Sequence, residues 1–143
     1  MRKKLLFVLL FAFAVSLNAQ NSTLPDAVSK AFEQKFPKAK KVKWESENID
    51  DYSASFALDS LNCTAVFSPK GNWQQTGIDI PLTKLLPAIH ADLKKNYPKA
   101  KITRATKIET AKQQVYYEVE LKKSETIEYI YYDLNGVEIL SMK

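Results

Sequence analysis

The sequence contains little cysteine, histidine and glycine: among its 143 residues there are one Cys, one His and three Gly. A single cysteine cannot form an internal disulfide, which excludes a disulfide-stabilised scaffold. One histidine and one cysteine disfavour a zinc site, and three glycines leave no glycine-rich loop to hold a phosphate. We therefore expect no cofactor. The 45% hydrophobic and 26% charged residues are typical of a folded globular protein.

The first 19 residues have the layout of a secretory signal peptide. Three basic residues at positions 2–4 precede an apolar stretch over residues 5–17, and Ala19 stands at the expected cleavage position. The stretch is shorter than the roughly 18 to 20 residues of a membrane-spanning helix. We therefore predict cleavage after Ala19, a periplasmic or secreted mature protein, and no transmembrane segment after cleavage.

Loss of the signal peptide lowers the net charge. The full chain carries +5, but residues 1–19 hold three of its 21 basic residues and none of its 16 acidic ones, so +2 remains. Nucleic acid is therefore not an expected partner. The densest basic stretch comprises Lys38, Lys40, Lys41 and Lys43. It is interpreted as a solvated edge strand, with a patch for an acidic partner or an anionic envelope surface as the alternative.

Two parts of the chain repeat the same motifs in the same order. Three pairs of segments match: 24–25 with 86–87 (Leu-Pro), 36–40 with 97–101 (aromatic-Pro-Lys-Ala-Lys), and 67–71 with 132–136 (a turn ending in Gly). We therefore predict two tandem repeats, residues 20–81 and residues 82–143.

Each repeat is predicted to contain one helix followed by antiparallel strands. Pro25 and Pro87 suit a first helical turn, and Pro37 and Pro98 end the helical periodicity. Alternation of apolar and polar residues then indicates strands, which in the first repeat cover residues 41–47, 51–58, 61–68 and 72–80. The predicted fold class is α+β, with each helix packed on one face of an antiparallel sheet and the other face open to water.

These motifs resemble the PepSY-like, beta-lactamase-inhibitor-like family of exported bacterial proteins. Besides the Leu-Pro and Phe-Pro-Lys-Ala motifs, the resemblance rests on residues 42–45 (Val-Lys-Trp-Glu), Tyr52, 71–73 (Gly-Asn-Trp) and 116–119 (Tyr-Tyr-Glu-Val). It covers roughly residues 24–140. It implies tandem helix-plus-sheet repeats in a non-catalytic exported protein, and binding or inhibition through the exposed sheet face. The beta-lactamase label is an analogy of fold, which does not fix function.

The reactive residues form no catalytic motif. Cys63 and His90 could meet as a nucleophile and a base, but a working pair also needs a third group that orients the base. We interpret them as a buried strand cysteine and an exposed helical histidine. The acidic hairpin over residues 45–51 lacks the ligand pattern of a calcium loop and is interpreted as a solvated turn. We therefore expect no enzymatic activity and no metal.

The open face of the second sheet is the predicted binding surface. If Tyr117 and Val119 point at the helix, alternation places their neighbours on the other face. The candidate protein-binding residues there are Tyr116, Glu118, Glu120, Tyr129 and Tyr131. The corresponding face of the first repeat is small and polar: it carries Ser53, Ser55, Thr64 and Val66. Tyrosine clusters are frequent in interfaces, although cross-strand tyrosine pairs can also serve only to stabilise a sheet.

The first functional hypothesis is an exported binding module, including the case of an inhibitor of an envelope or secreted enzyme. In it, Tyr116, Tyr129 and Tyr131 anchor an unidentified protein partner, and Glu118 and Glu120 set its orientation. It predicts that Tyr-to-Ala changes on this face leave the melting temperature nearly unchanged. The alternative is a small-ligand- or metal-sensing periplasmic protein that uses the groove between the repeats.

Overall fold

A computed structural model describes residues 24–48 and 51–139. The predicted signal peptide and Asp50 of the acidic hairpin lie outside the described residues. The elements follow in chain order: α1 (Asp26–Lys35), β1 (Lys40–Asn48), β2 (Asp51–Leu58), β3 (Leu61–Phe67), β4 (Trp73–Asp79), a 3-10 turn (Leu82–Lys84), α2 (Pro87–Asn96), β5 (Lys101–Thr110), β6 (Val115–Lys123), β7 (Thr126–Tyr132) and β8 (Glu138–Ile139). Neither helix described here has the length and apolar character needed to cross a membrane.

All eight strands belong to one antiparallel sheet, in the order of the chain. The α+β class is confirmed, but the expectation of a separate sheet for each repeat is wrong. Strand β4 pairs with β5, from Gln75 opposite Thr110 to Asp79 opposite Thr106. The pairing satisfies backbone groups that two separate sheets would leave on exposed edges.

An aromatic core joins α1 to the first four strands. Val28 and Phe32, one helical turn apart, are buried. The Phe32 ring meets Phe56 and Trp44 edge-on, with centroids 5.1 and 5.2 Å apart. The strand residues buried in this cluster are Ala54, Phe56, Cys63, Ala65 and Phe67. Alternate residues of β2 and β3 therefore face the helix, as their sequence pattern predicts.

A second core joins α2 to the last four strands. Ile89 and Leu93 of the helix are buried against it. The strand residues of this cluster are Ala105, Tyr117, Val119, Leu121 and Tyr132. Tyr132 is fully buried, and its hydroxyl donates a hydrogen bond to Asp92 Oδ2 of α2 at 2.9 Å. Burial and this carboxylate raise the pKa of Tyr132, so the hydroxyl stays protonated and fixes the helix to β7.

Both helices lie on the same face of the sheet. Ile78, which packs against the α1 core, pairs with Lys107. Lys107 in turn pairs with Tyr117 of the α2 core. Paired residues of antiparallel strands project on the same side, so the two cores share one face. Among the described residues, no helix covers the other face.

Two glycine turns bring the strands close to the helix starts. Gly71 and Gly136 have φ values of +80° and +78°, a region that favours glycine. A Cβ on Gly71 would lie 2.5 Å from the carbonyl oxygen of Ala27 in α1. A Cβ on Gly136 would lie 2.7 Å from the Cβ of Ala88 in α2. Each turn therefore needs glycine both for its backbone conformation and for the space beside its helix.

Replacing Gly71 by Ala is expected to lower the free energy of unfolding by about 1–3 kcal/mol, because strain and a backbone clash add together. Urea denaturation followed by circular dichroism measures the change. The control is Asn72→Ala at the exposed neighbouring position, which should stay within about 0.5 kcal/mol of the wild type. Equal stability of the Gly71→Ala variant and the wild type would contradict the close approach to Ala27.

Candidate functional site

The helix-free side of the sheet, called here the open face, carries side chains in rows that cross the strands. In one row, Asp79, Thr106, Glu118 and Tyr131 lie side by side on β4, β5, β6 and β7. The parallel rows contain Gly77, Ile108 and Tyr116; Arg104, Glu120 and Tyr129; and Lys122 and Ile127. All five predicted site residues therefore lie on one face, on the adjacent strands β6 and β7.

A recess lies at the centre of the open face and crosses the β4–β5 junction. Seven polar or charged side chains help to line it: Ser53, Thr64, Gln75, Asp79, Arg104, Thr106 and Glu118. Its floor is at Gly77, where an added Cβ would stand 3.0 Å from the methyl carbon of Thr106. Because its walls come from β2–β4 and from β5–β6, the recess lies where the two predicted repeats meet.

Two carboxylates at the recess share one guanidinium. The Nη2 atom of Arg104 is 3.8 Å from Glu118 Oε1 and 3.8 Å from Glu120 Oε2. Both glutamate side chains are only 19% exposed, whereas that of Arg104 is 47% exposed. Glu120 also accepts hydrogen bonds from Thr103 Oγ1 at 2.6 Å and from the Tyr129 hydroxyl at 3.3 Å. Glu120 is therefore held in place more firmly than Glu118.

The environment of Glu118 opposes its ionisation. Burial raises the pKa of this carboxyl above its ordinary value, and the charges of Glu120 and Asp79 act in the same direction. A hydrogen bond from Tyr131 and the charge of Arg104 act against the rise without cancelling it. Glu118 is thus a half-buried carboxylate whose negative charge is incompletely balanced.

The three tyrosines of the open face differ in exposure. Tyr129 is 45% exposed and Tyr131 is half-buried, but Tyr116 is only 7% exposed. The Tyr116 ring packs edge-on against Tyr131, with centroids 6.0 Å apart. This burial argues against the expectation that the change of Tyr116 to Ala would spare stability. The buried ring stabilises the open face, and little of its surface is accessible to a partner.

Ile127 is a residue of the open face that was not among the predicted site residues. It is 55% exposed and pairs with Lys122 on the open face. Ile127 stands two residues before Tyr129, so extending the alternation along β7 by one step would have found it. With Tyr129 it forms a pair of exposed apolar side chains, called here the apolar pair.

The other candidate residues lie away from the open face. Cys63 is 4% exposed in the α1 core, and burial raises the pKa of its thiol. His90 is exposed on α2, where its Nε2 lies 3.0 Å from the carbonyl oxygen of Leu82. Within residues 24–48 and 51–139, no three His, Cys, Asp or Glu side chains are grouped to hold a metal ion. The basic stretch around Lys40 begins β1, which is the edge of the sheet.

Comparison with known proteins identifies relatives of this fold. The family described as "Putative beta-lactamase-inhibitor-like, PepSY-like" matches residues 15–60 and 50–139. No curated protein matches the sequence.

Three similar crystal structures come from Bacteroides species. A DUF2874 family protein from Bacteroides ovatus is 24% identical, with a TM-score of 0.70 over 82% of this chain and 86% of that chain. A putative periplasmic protein from Bacteroides eggerthii is 18% identical, with a TM-score of 0.71 over 81% and 86%. A BLIP-like protein from Bacteroides fragilis is 20% identical, with a TM-score of 0.67 over 81% and 84%. These similarities show a shared fold.

Tyr116→Ala is expected to lower the free energy of unfolding by about 2–4 kcal/mol, because removal of a buried ring leaves a cavity. Tyr129→Ala should cost less than about 1 kcal/mol, because much of that ring is already in water. Urea denaturation of the two variants in parallel measures the difference. Equal losses would contradict the difference in burial.

Glu118→Gln is expected to increase the free energy of unfolding near neutral pH. A raised pKa means that the folded chain holds the Glu118 proton more tightly than the unfolded chain does, so ionisation destabilises the fold. The gain should disappear as the pH falls to about 3, well below the ordinary pKa of glutamate, where the carboxyl is protonated in both states. Denaturation at both pH values measures it, with Glu125→Gln in the exposed β6–β7 turn as the control. A loss of stability at neutral pH would refute the assigned burial cost.

Proposed function

The chain belongs to the PepSY-like, beta-lactamase-inhibitor-like family, and on this premise we propose that it is an exported, non-catalytic binding module whose open face holds a protein partner. The partner lies across β6 and β7. The family description supports a binding role, and the arrangement of side chains on the open face supports its position.

The observation that carries the proposal is the apolar pair on an otherwise polar part of the sheet. Ile127 and Tyr129 are 55% and 45% exposed, and they neighbour Lys122 and Glu120 on β6. Aromatic and aliphatic anchors surrounded by charged groups are the usual composition of a binding surface. A partner that covers the pair removes apolar area from water, which favours association.

The residues around the pair have separate roles in this proposal. Tyr129 and Ile127 make the apolar contacts, and Tyr131 extends them towards the central recess. Tyr116 packs against Tyr131 through the edge-on contact between their rings. Glu118 and Glu120 orient the partner by charge, because electrostatic complementarity sets register and specificity more than affinity.

The compartment is the periplasm or the extracellular space. The basic and apolar segments within residues 1–19 and the small residue at position 19 support export. The relative from Bacteroides eggerthii, described as a putative periplasmic protein, agrees with this compartment. A narrower form of the proposal is an inhibitor that occludes an envelope or secreted enzyme, for which the BLIP-like relative from Bacteroides fragilis is the supporting comparison.

The proposal also includes two tandem repeats, residues 20–81 and 82–143. Each would consist of one helix followed by four strands, in the observed order of elements. The equivalent approaches of Gly71 to Ala27 and of Gly136 to Ala88 support this division. The central recess, which crosses the boundary, favours a second candidate function: a small ligand sensed in the groove between the repeats.

The test of the proposed function is affinity capture with residues 20–143, which contain all the described elements. An envelope extract and a culture supernatant serve as sources. The Ile127→Ala/Tyr129→Ala double variant should lose the captured protein while keeping its melting temperature within a few degrees, because both residues are about half exposed.

The matched control is Leu61→Ala. Leu61 is 40% exposed, but its register places it on the helix side of the sheet. A protein retained by the wild type and by this control, and lost by the double variant, is the expected result. Equal capture by all three baits would refute binding through the apolar pair. A ligand-induced rise in melting temperature without any captured protein would favour the second candidate.

A further inference from the structure

The central recess is acidic. Asp79 and Glu118 line it, and Glu120 stands beside Glu118 on the same face of β6. Arg104 is the one cationic side chain among the described residues that line the recess. It stands opposite Glu120 on β5 and lies 3.8 Å from each glutamate. One cation thus faces three carboxylates, which leaves the recess with a net negative charge.

The row through Thr106 gives the recess its shape. Asp79 and Glu118 pair with Thr106 from either side. Strands in a sheet are about 4.8 Å apart, so the backbones that carry the two carboxylates are about 10 Å apart. The short Thr106 side chain between them is 8% exposed, and its Oγ1 donates to Asp79 Oδ1 at 3.0 Å. This leaves a slot between the carboxylates, with Gly77 beside it in the next row.

The dimensions and charge of this slot suit a single cationic side chain. A lysine ammonium or an arginine guanidinium entering from solvent would have a carboxylate on either side and the Thr106 hydroxyl beneath it. An anion would meet three negative charges. An apolar group would exclude water from two half-buried carboxylates, which is costly.

We propose that the central recess receives a lysine or arginine side chain of the protein partner. The inference rests on the proposed function and specifies the chemistry of the partner. The contact loop of the partner carries a basic side chain for the recess and an apolar side chain for Ile127 and Tyr129. The charged contact selects the partner and sets its register, and the apolar contact adds buried area.

Binding of a cation should depend on pH through Glu118. The charged and titratable groups that face this carboxyl are Arg104 on β5, Asp79 on β4, Glu120 and Tyr116 on β6, and Tyr131 on β7. A cation in the slot stabilises the ionised form of Glu118, whose pKa is raised in the free protein. Binding therefore releases a proton, and affinity should rise as the pH increases through that pKa.

The direct test is a titration of the ¹⁵N-labelled chain, residues 20–143, with acetyl-Gly-Lys-Gly-amide, followed by the backbone amide signals. Acetyl-Gly-Arg-Gly-amide and acetyl-Gly-Gln-Gly-amide are titrated in parallel. We expect the Lys and Arg peptides, but not the Gln peptide, to shift the signals of Gly77, Thr106 and Glu118. The affinity should be greater at about pH 8 than at about pH 5. Absence of these shifts, or equal shifts with the Gln peptide, would overturn the inference.

The matched variants are Asp79→Asn/Glu118→Gln and Glu125→Gln. The first removes both charges while keeping the size of the side chains, and its asparagine can still accept the Thr106 hydrogen bond. It should weaken the Lys-dependent binding by at least about tenfold, without a lower melting temperature. The second removes an exposed charge in the β6–β7 turn and should bind like the wild type. Unchanged binding by the first variant would refute the site.

Failure of this inference can be told from failure of the proposed function. A partner captured through Ile127 and Tyr129 that binds the Asp79→Asn/Glu118→Gln variant with full affinity would leave the proposed function standing and overturn the cationic contact. Loss of the partner by that variant, with retention by Glu125→Gln, is the result expected if the basic side chain occupies the recess.

Discussion

The pairing of β4 with β5 is the constraint on which the rest of the molecule depends. Five residue pairs, from Gln75 with Thr110 to Asp79 with Thr106, turn two groups of four strands into a single sheet. The pairing also decides which side chains of the second group lie on the same face as those of the first group. A shift of one residue would move every side chain of β5 to the opposite face. With the observed register, both helices share one face. The other face continues across the junction, where the central recess lies.

The sequence was sufficient for the parts of the fold that depend on local pattern. Prolines and apolar spacing located both helices. Alternation predicted both ends of each of the first four strands to within one residue. The same alternation placed Tyr116, Glu118 and Glu120 opposite Tyr117 and Val119. These features follow from the period of a helix or a strand, which a single stretch of sequence contains.

The sequence was insufficient where partners come from distant parts of the chain. Neither the β4–β5 pairing nor the burial of Tyr116 can be read from one strand. Alternation assigns Tyr116 to a face, but its exposure depends on neighbours that cover it, among them Tyr131 on another strand. The central recess likewise cannot be predicted from one strand. It depends on Gly77 and Asp79 from one half and on Thr106 and Glu118 from the other, and the register of three strands brings them together.

The sheet order has a consequence for how the chain reaches this structure. Every strand pairs with the next one along the sequence, so most strand pairings close only a short connection. Little loop entropy is lost when such a pairing forms. The exception is the step from β4 to β5, where α2 and its flanking residues intervene. The pairing that creates the recess therefore closes the longest loop of the sheet. This step loses the most loop entropy, and the packing of α2 against the sheet offsets that loss.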